Sequence, residues 1–180
     1  MNEKQRESRQ GWYETLGLVI GALIAIVVLF TLVARLEWVD GSSMYPTLKD
    51  KEIMLVWQAG YTPKPGDVVL LTQKSFQEKS LVKRVIAVGG QTVRIDYQEN
   101  KVYVDGEALE EPYINGEEAD PMEERPSSWT EELTVPEGYV FVMGDNRNHS
   151  GDSRDPAIGV VAEGNVIGKC ALVLFPFRTL

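Results

Sequence analysis

The sequence predicts a mostly β protein, in which an N-terminal transmembrane helix precedes an antiparallel β-sheet domain that carries an irregular acidic insertion. Three observations lead to this fold class: an uncharged apolar run near the N-terminus, short β-branched segments separated by turn residues, and one segment that carries the excess of acid. The chain of 180 residues is long enough for one modest domain, and its 43% hydrophobic residues can form a core.

The apolar run Leu16–Ala34 contains no charged side chain. As a helix that rises about 1.5 Å per residue it would be roughly 28 Å long, close to the ~30 Å hydrocarbon core of a bilayer. Trp12, Tyr13 and Trp38 flank the run, as aromatic residues do at membrane interfaces. A cleaved signal peptide would have a shorter apolar region of about 7–15 residues and a small-residue cleavage site. A buried helix of a soluble protein is a second alternative.

The apolar span divides the chain into a tail at residues 1–15, an anchor at 16–36 and a domain at 37–180. The tail carries three basic residues, whereas Arg35 and Lys49 follow soon after the span. Because basic residues favour the cytoplasmic side of a membrane, we expect a cytoplasmic tail and an extracytoplasmic domain.

Beyond the span, the sequence pattern changes to that of strands. Seven apolar or β-branched runs are predicted strands: Ile53–Trp57, Val68–Thr72, Leu81–Val88, Thr92–Tyr97, Lys101–Val104, Tyr139–Met143 and Val166–Phe175. Turn residues separate them, among them Pro65-Gly66-Asp67, Gly89-Gly90 and Asp105-Gly106. Because no long amphipathic helix is predicted after residue 40, we expect the strands to pair in a mostly antiparallel arrangement.

The net charge of -9 is concentrated in one segment. Residues 107–132 hold ten acidic side chains against Arg125 alone, whereas the remaining residues are balanced. Acidic runs are usually solvated loops, so we expect an irregular acidic insertion at 112–134. No basic patch indicates a nucleic-acid partner. With one cysteine, Cys170, and one histidine, His149, the chain can form neither an internal disulfide nor a Cys-rich zinc site, and no cofactor is expected.

The segment Gly41–Leu48 contains a candidate nucleophile. It reads Gly-Ser-Ser-Met-Tyr-Pro-Thr-Leu, and a serine in a glycine-containing turn lies beside backbone N–H groups that can stabilise an oxyanion. The same composition is ordinary for a loop, so this segment alone does not identify a catalytic serine.

Lys83 is a candidate general base in the run Ser80–Val88. Strand alternation places it on one face with Leu81, Val85 and Ala87. A lysine there could instead blunt a sheet edge or extend to water. At an ordinary pKa near 10.4, only about 1 lysine in 2,500 is neutral at pH 7, whereas burial that lowers the pKa to about 8 makes roughly 10% available as a base. Such a shift is expected chiefly at functional sites.

The segment Gly144–Arg154 follows a predicted strand and is dense in hydrogen-bonding side chains. Four charged side chains could form ion pairs that hold a loop in place: Asp145, Arg147, Asp152 and Arg154. A cation site is the alternative, but the spacing lacks the acidic ladder and the terminal Glu of a calcium loop.

In this order and spacing, the three segments resemble those of the type I signal peptidases (leader peptidases), especially the short form typical of Gram-positive bacteria. The resemblance covers nearly the whole chain. It implies a membrane-bound serine endopeptidase that uses a Ser/Lys dyad to cleave N-terminal signal peptides from exported preproteins after small residues, at Ala-x-Ala type sites. It also implies a single-pass protein of the bacterial cell membrane, whose partners are signal peptides and the lipid bilayer and which acts downstream of the protein export machinery.

The resemblance assigns roles to individual residues. In the family, the serine directly before Met, with Pro two residues after that Met, is the nucleophile, which here is Ser43; the lysine of the Lys-Arg pair is the general base, which is Lys83. Ser150 matches the serine that hydrogen-bonds the lysine amine. Three residues match positions that hold the active-site framework: Asp145, Asp152 and Arg154. By position, five residues are candidates for the substrate pocket: Val39, Gly41, Met44, Leu48 and Leu81.

Gly41 departs from one branch of the family, in which a serine at this position helps to bind the oxyanion. The backbone N–H of Ser43 remains as one donor, and the second donor is left open between another backbone N–H and a water.

Two other classes remain as alternatives, and a third, the self-cleaving repressor, is excluded. A sortase-like transpeptidase would need Cys170 as nucleophile and His149 as its partner, but Cys170 lies in a predicted buried strand, where cysteine is common. A self-cleaving repressor also uses Ser and Lys, yet it would carry a helix-turn-helix where this chain has an apolar span. A catalytically inactive, anchored β-domain that binds partners stays open, because only activity separates it from an enzyme.

Overall fold

The structure is a computed structural model that describes residues 3–72, 80–114, 120–124 and 132–180, with side chains from residue 11 onward. It begins with a long helix, α1 (Glu3–Val28), which continues through one π-helical turn at Leu29–Val33. The apolar stretch Gly11–Val33 has a mean hydropathy of 3.0, and none of it is buried against the rest of the protein. Within the described ranges it is the one helix long and apolar enough to cross a membrane.

Twelve strands follow in the part of the chain that the structure describes: β1 (Ala34–Trp38), β2 (Ile53–Trp57), β3 (Val68–Thr72), β4 (Ser80–Val88), β5 (Thr92–Asp96), β6 (Lys101–Val104), β7 (Glu107–Ala108), β8 (Leu133–Thr134), β9 (Tyr139–Met143), β10 (Val161–Ala162), β11 (Val166–Phe175) and β12 (Arg178–Thr179). All seven predicted strands are present, with ends within one residue of those expected. The helix ends at Val33, so that β1 occupies residues which the sequence pattern had assigned to the anchor.

All strand pairings are antiparallel. The main sheet has the order β1-β2-β11-β3-β4-β9-β10, with β12 paired to β11, and a smaller sheet has the order β7-β6-β5-β8. The predicted fold class, a mostly β and antiparallel domain after one N-terminal apolar helix, is confirmed. Because β4 lies well inside the main sheet, a residue on it is held on both sides by neighbouring strands.

The core of the main sheet fixes the loop that follows β1. Met44 and Leu48, from this loop, are both almost completely buried. They pack in one apolar cluster with side chains from β2, β3 and β11: Met54, Val56, Val68, Leu70, Cys170 and Val173. The burial of these two side chains anchors the loop on the C-terminal side of Ser43, at roughly 1.5–3 kcal/mol of hydrophobic stabilisation for each.

A β-bulge in β4 alters the predicted faces of this strand. The pairing of β4 with β9 shifts register between Val85 and Ala87. Val85 packs with Leu81 in a cluster beneath β3 and β9, as strand alternation predicts. Ala87 instead joins Ile86 in the cluster shared with the smaller sheet. The prediction that Ala87 shares the face of Lys83 is wrong, because the bulge inserts one residue into the alternation.

The predicted acidic insertion is described only in part, since residues 115–119 and 125–131 lie outside the described residues. In the described part, Met122 is buried in the cluster of the smaller sheet, and its N–H donates to Asn100 Oδ1 at 2.8 Å. Near its other end, β8 pairs with β5. The described parts of this segment therefore pack on the domain.

Candidate active site

The loop between β1 and β2 presents Ser43. Val39 N–H donates to Glu52 O at 2.8 Å, which closes the loop at its base. Gly41 has a φ of +100°, a conformation that favours glycine, and its N–H donates to Asp50 Oδ1 at 2.8 Å. These contacts hold the turn that carries Ser43 on both sides of the serine.

Lys83 lies on β4, opposite Val69 of β3, and its side chain reaches the serine. The Lys83 Nζ is 2.8 Å from the Ser43 Oγ, and it donates a hydrogen bond to Val82 O at 2.9 Å. Only 3% of Lys83 is exposed, although lysine is almost never fully buried without a specific partner. The two residues that stand 40 positions apart in the sequence are thus in hydrogen-bond contact.

Burial lowers the pKa of Lys83 from 10.5 to about 8, because the ammonium loses its hydration. The carboxylates of Asp152 and Asp145 act in the opposite direction and favour the charged amine, whereas the Arg154 guanidinium favours the neutral one. With a pKa of about 8, roughly 10% of the amine is neutral at pH 7. A neutral amine in contact with a serine hydroxyl can accept its proton, which makes the serine a nucleophile.

Arg84 and Asp145 connect the strand of Lys83 with the turn of Ser43. The Arg84 Nε and Nη2 donate to the two carboxylate oxygens of Asp145 at 2.8 and 2.7 Å, and both side chains are buried. The Thr47 hydroxyl, four residues after the serine, donates to the same carboxylate. Because two-point ion pairs of this kind are strong and directional, this contact fixes Lys83 relative to Ser43.

Asp152 and Arg154 form a second buried ion pair, with Arg154 Nε 2.8 Å from Asp152 Oδ1. Burial by itself would raise the pKa of Asp152. The hydrogen bond and charge of Arg154, the N–H of Gly144 and the hydroxyl of Ser150 outweigh that effect and lower the pKa. Asp152 is therefore ionised at neutral pH, and Ser150, whose hydroxyl contributes to this lowering of the pKa, is itself buried.

Gly144 brings the segment Gly144–Arg154 against the Ser43 turn. A Cβ at Gly144 would overlap the Ser150 Oγ and would lie 2.5 Å from Ser43 O, closer than real Cβ atoms come. Asn146 adds two further contacts to the turn: its N–H donates to Ser43 O at 3.0 Å and its side-chain amide donates to Ser42 O at 3.1 Å. Only glycine at position 144 lets the backbone come this close to Ser43 and Ser150.

Two residues outside the three segments that carry the predicted site, Glu111 and Tyr113, extend the network. Glu111 forms a buried ion pair with Arg147 and accepts a hydrogen bond from the Tyr113 hydroxyl at 2.8 Å. The Arg84 guanidinium lies 3.8 Å from the centre of the Tyr113 ring, a cation–π contact. The sequence analysis did not identify either residue, because Glu111 stands in a run of similar acids. The one local sign that this acid differs from the others was the aromatic Tyr113 beside it.

A cleft of about 90 Å³ passes Ser43 and Lys83, between the end of β1 and the start of β4. Four of the five predicted pocket residues line it: Val39, Gly41, Met44 and Leu81. Leu48 is not among the described residues that line the cleft. It is fully buried in the cluster that also contains Val39 and Met44.

Cys170 and His149 are not arranged as a thiol and its base. The Cys170 Sγ is buried in the main sheet, 3.4 Å from the Met54 Sδ, and burial raises the pKa of Cys170 to about 12. Reactive thiols have lowered pKa values. His149 is exposed, and its Nδ1 lies 3.3 Å from Asn146 Oδ1. The geometry does not support the sortase-like alternative.

The fold and the site together define a class of protein. An antiparallel β-domain in which a buried lysine of lowered pKa contacts a serine hydroxyl has the arrangement of a serine hydrolase with lysine in place of histidine as the base. A family model described as "Signal peptidase, peptidase S26" matches residues 12–175. The chain therefore belongs to the signal peptidase family, peptidase S26.

Relatives that this chain matches over more than nine tenths of their length support the family assignment. Signal peptidase I T of Bacillus subtilis (strain 168) is 34% identical over 185 residues, which cover 99% of this chain and 93% of that protein. Signal peptidase IB of Staphylococcus aureus (strain COL) is 32% identical over 180 residues, covering 91% of each chain. The predicted family and its serine endopeptidase class are confirmed. A crystal structure of a signal peptidase I from Enterococcus faecalis V583 is 28% identical and covers 61% of this chain and 97% of that chain, with a TM-score of 0.49.

Proposed function

We propose that this protein is a membrane-anchored serine endopeptidase that cleaves N-terminal signal peptides from exported preproteins, with Ser43 as nucleophile and Lys83 as general base. The observation that carries the proposal is the 2.8 Å contact between Lys83 Nζ and Ser43 Oγ, in a chain of the signal peptidase family. An inactive partner-binding domain would gain nothing from a buried lysine, because lowering its pKa costs stability.

A signal peptide would bind as an extended strand in the cleft, between the backbones of Val39–Gly41 and Ser80–Lys83. Main-chain groups on such walls pair with an extended peptide, as in other cases of strand addition. The cleft is small, about 90 Å³, and the apolar side chains of Val39, Met44 and Leu81 line it. We infer that it accepts small side chains ahead of the cut, which corresponds to Ala-x-Ala sites.

Neutral Lys83 would accept the proton of Ser43 as the Oγ attacks the carbonyl carbon of the scissile bond. Among the described residues, the Ser43 N–H has no hydrogen-bond acceptor, so it can donate to the oxyanion that forms. The N–H of Gly41 is already used by Asp50. The protonated lysine then gives its proton to the leaving amine, which frees the mature protein and leaves an acyl-enzyme on Ser43.

In the second half of the reaction, Lys83 is neutral again and takes a proton from a water that attacks the ester carbon. It then gives that proton to the Ser43 Oγ as the ester bond breaks, which releases the signal peptide and restores Ser43. Asp145, Asp152 and Arg154 are positioning residues in this scheme, since they act through Arg84, Thr47 and the pKa of Lys83. Ser150 supports Asp152 and packs against Gly144.

For the location, we propose that the tail at 1–15 is cytoplasmic, that α1 crosses the bacterial cell membrane once, and that the domain at 37–180 lies outside. Large exposed apolar side chains on β1, on β2 and at the β11–β12 turn support contact with lipid: Leu36, Trp38, Trp57, Phe175 and Phe177. A signal peptide that leaves the bilayer nearby, downstream of the export machinery, would then enter the cleft directly.

The test is cleavage of a preprotein with an Ala-x-Ala site by the purified protein in detergent. We expect the wild type and the matched control Ser42→Ala to cut after that site, and Ser43→Ala and Lys83→Ala to lose at least about a thousandfold in kcat/KM while staying folded. A wild type that cuts none of several such preproteins would make the chain an inactive relative. Full activity in Ser43→Ala would assign the nucleophile elsewhere.

A further inference from the structure

A second cleft, of about 210 Å³, borders the Ser43 turn. Ser43 and Met44 line the first cleft, whereas the next residue, Tyr45, lines the second. Asn146 also lines the second cleft and donates hydrogen bonds to the carbonyl groups of Ser42 and Ser43. A single turn of the chain therefore separates the two clefts, and the reaction described above uses only the first.

We propose that the second cleft binds the first residues of the mature protein, those that follow the scissile bond. This inference rests on the proposed function. The first cleft begins at Glu37 and Trp38, at the end of the strand that leaves the membrane helix. The apolar part of a signal peptide must enter from that side. The chain beyond the cut must then leave past Ser43, where Tyr45 opens the second cleft.

The walls of the second cleft are held in place by hydrogen bonds of their own. Asn100 accepts from Met122 N–H, and Asn148 accepts from Glu123 N–H and donates to Pro121 O. These contacts tie the described part of the acidic segment to the turn between β5 and β6 and to the loop after β9. Hydrogen bonds therefore hold the walls of the second cleft in place, and the described part of the acidic segment forms one of these walls.

The charges of the second cleft favour one kind of occupant. Asp145 is paired with Arg84, and Arg147 is paired with Glu111, so both are neutralised. Asp120 is exposed and has no ion-pair partner among the described residues. With no ion-pair partner among the described residues, the Asp120 carboxylate favours lysine or arginine early in the mature protein and disfavours aspartate or glutamate.

The experiment compares kcat/KM for three peptides that are identical up to the cut and carry Lys, Ser or Glu at the second and third positions after it. For the wild type we expect the Lys peptide to be cut about three- to tenfold better than the Glu peptide at low salt, with a smaller ratio at high salt. Asp120→Lys inverts the ratio. Glu107→Lys, the same charge change on exposed β7 outside the cleft, keeps the wild-type ratio.

If the Lys-to-Glu ratio of kcat/KM is the same in the wild type, Asp120→Lys and Glu107→Lys, and the Ser peptide is still cut, this inference is overturned. The proposed function is then unaffected. If no peptide is cut, the proposed function fails and this inference fails with it. A second measurement uses the Ser43→Ala variant and a peptide with a benzophenone at the third position after the cut. We expect crosslinks to Met122 or Ile114; crosslinks to Trp38 would place the mature end on the membrane side and overturn the assignment.

Discussion

The Cα of Gly144 lies so close to the carbonyl group of Ser43 that a methyl group on it would approach the carbonyl oxygen to 2.5 Å. The segment Gly144–Arg154 and the turn that carries Ser43 are therefore in backbone contact. A change on one side of this contact must move the other, because the core beneath both is closely packed.

We expect Gly144→Ala to reduce kcat/KM at least tenfold and to destabilise the fold by about 1–3 kcal/mol, because the added methyl group displaces either Ser43 or Ser150. Cleavage kinetics and thermal unfolding measure the two effects. Gly164→Ala is the matched control, since a Cβ there meets nothing within 4 Å. If Gly144→Ala keeps wild-type kinetics, the Ser43 turn tolerates the displacement, and its close contact with Gly144 is not needed for cleavage.

The pH dependence of cleavage should follow Lys83. Because only the neutral amine is a base and its pKa is lowered to about 8, kcat/KM should rise about tenfold per unit below that pH and level off above it. Lys83→Arg should be inactive over the whole range, since a guanidinium does not deprotonate. A rate profile with its midpoint near 6, in contrast, would assign the base to another group.

The stability of the protein should also depend on Lys83. Between about pH 8 and 10.5 the unfolded chain binds a proton at this lysine that the folded chain does not, so stability rises with pH across that window. Below pH 8 the folded state must bury a charge. We expect Lys83→Met to be inactive but more stable at pH 7 by about 2–3 kcal/mol, and to lose the rise. Denaturant unfolding at pH 7 and pH 10 measures both quantities.

The ion pair between Arg84 and Asp145 should matter more than any exposed pair. Asp145→Leu leaves a buried guanidinium without its counter-charge and should cost about 3–5 kcal/mol, whereas the double variant with Arg84→Met should recover much of that loss. Lys101→Met, at an exposed pair, should change stability by less than about 1 kcal/mol. A fully additive double variant would show that the two side chains do not interact in solution.

The strands were predictable from the sequence because most of them are short apolar runs between turn residues, and this local pattern survives folding. β1 was not, because its first residue, Ala34, continues the apolar run of the helix without a break, and only pairing with β2 makes the segment a strand. The bulge after Val85 was hidden for the same reason, since alternation contains no sign of an inserted residue.

The site was predictable where a residue type is unusual in its setting. Lys83 in an apolar strand is such a case, whereas the serine in a glycine turn has the composition of an ordinary loop, and the resemblance to a family joined the two residues. Glu111 and Tyr113 were not predictable, because their roles depend on Arg147 and Arg84, which are distant in sequence. An acid among many acids carries no local signal of a buried partner.

β1 begins at Ala34, directly after the last helical residue, and the carbonyl of Val33 accepts hydrogen bonds from the N–H groups of Gln58 and Ala59. Helix and sheet therefore meet at a joint without a flexible linker. In a bilayer, this direct connection would hold the Ser43 turn at a constant height above the membrane surface. Preproteins would then be sorted first by the number of residues between their own apolar segment and the bond to be cut, before any side chain is recognised.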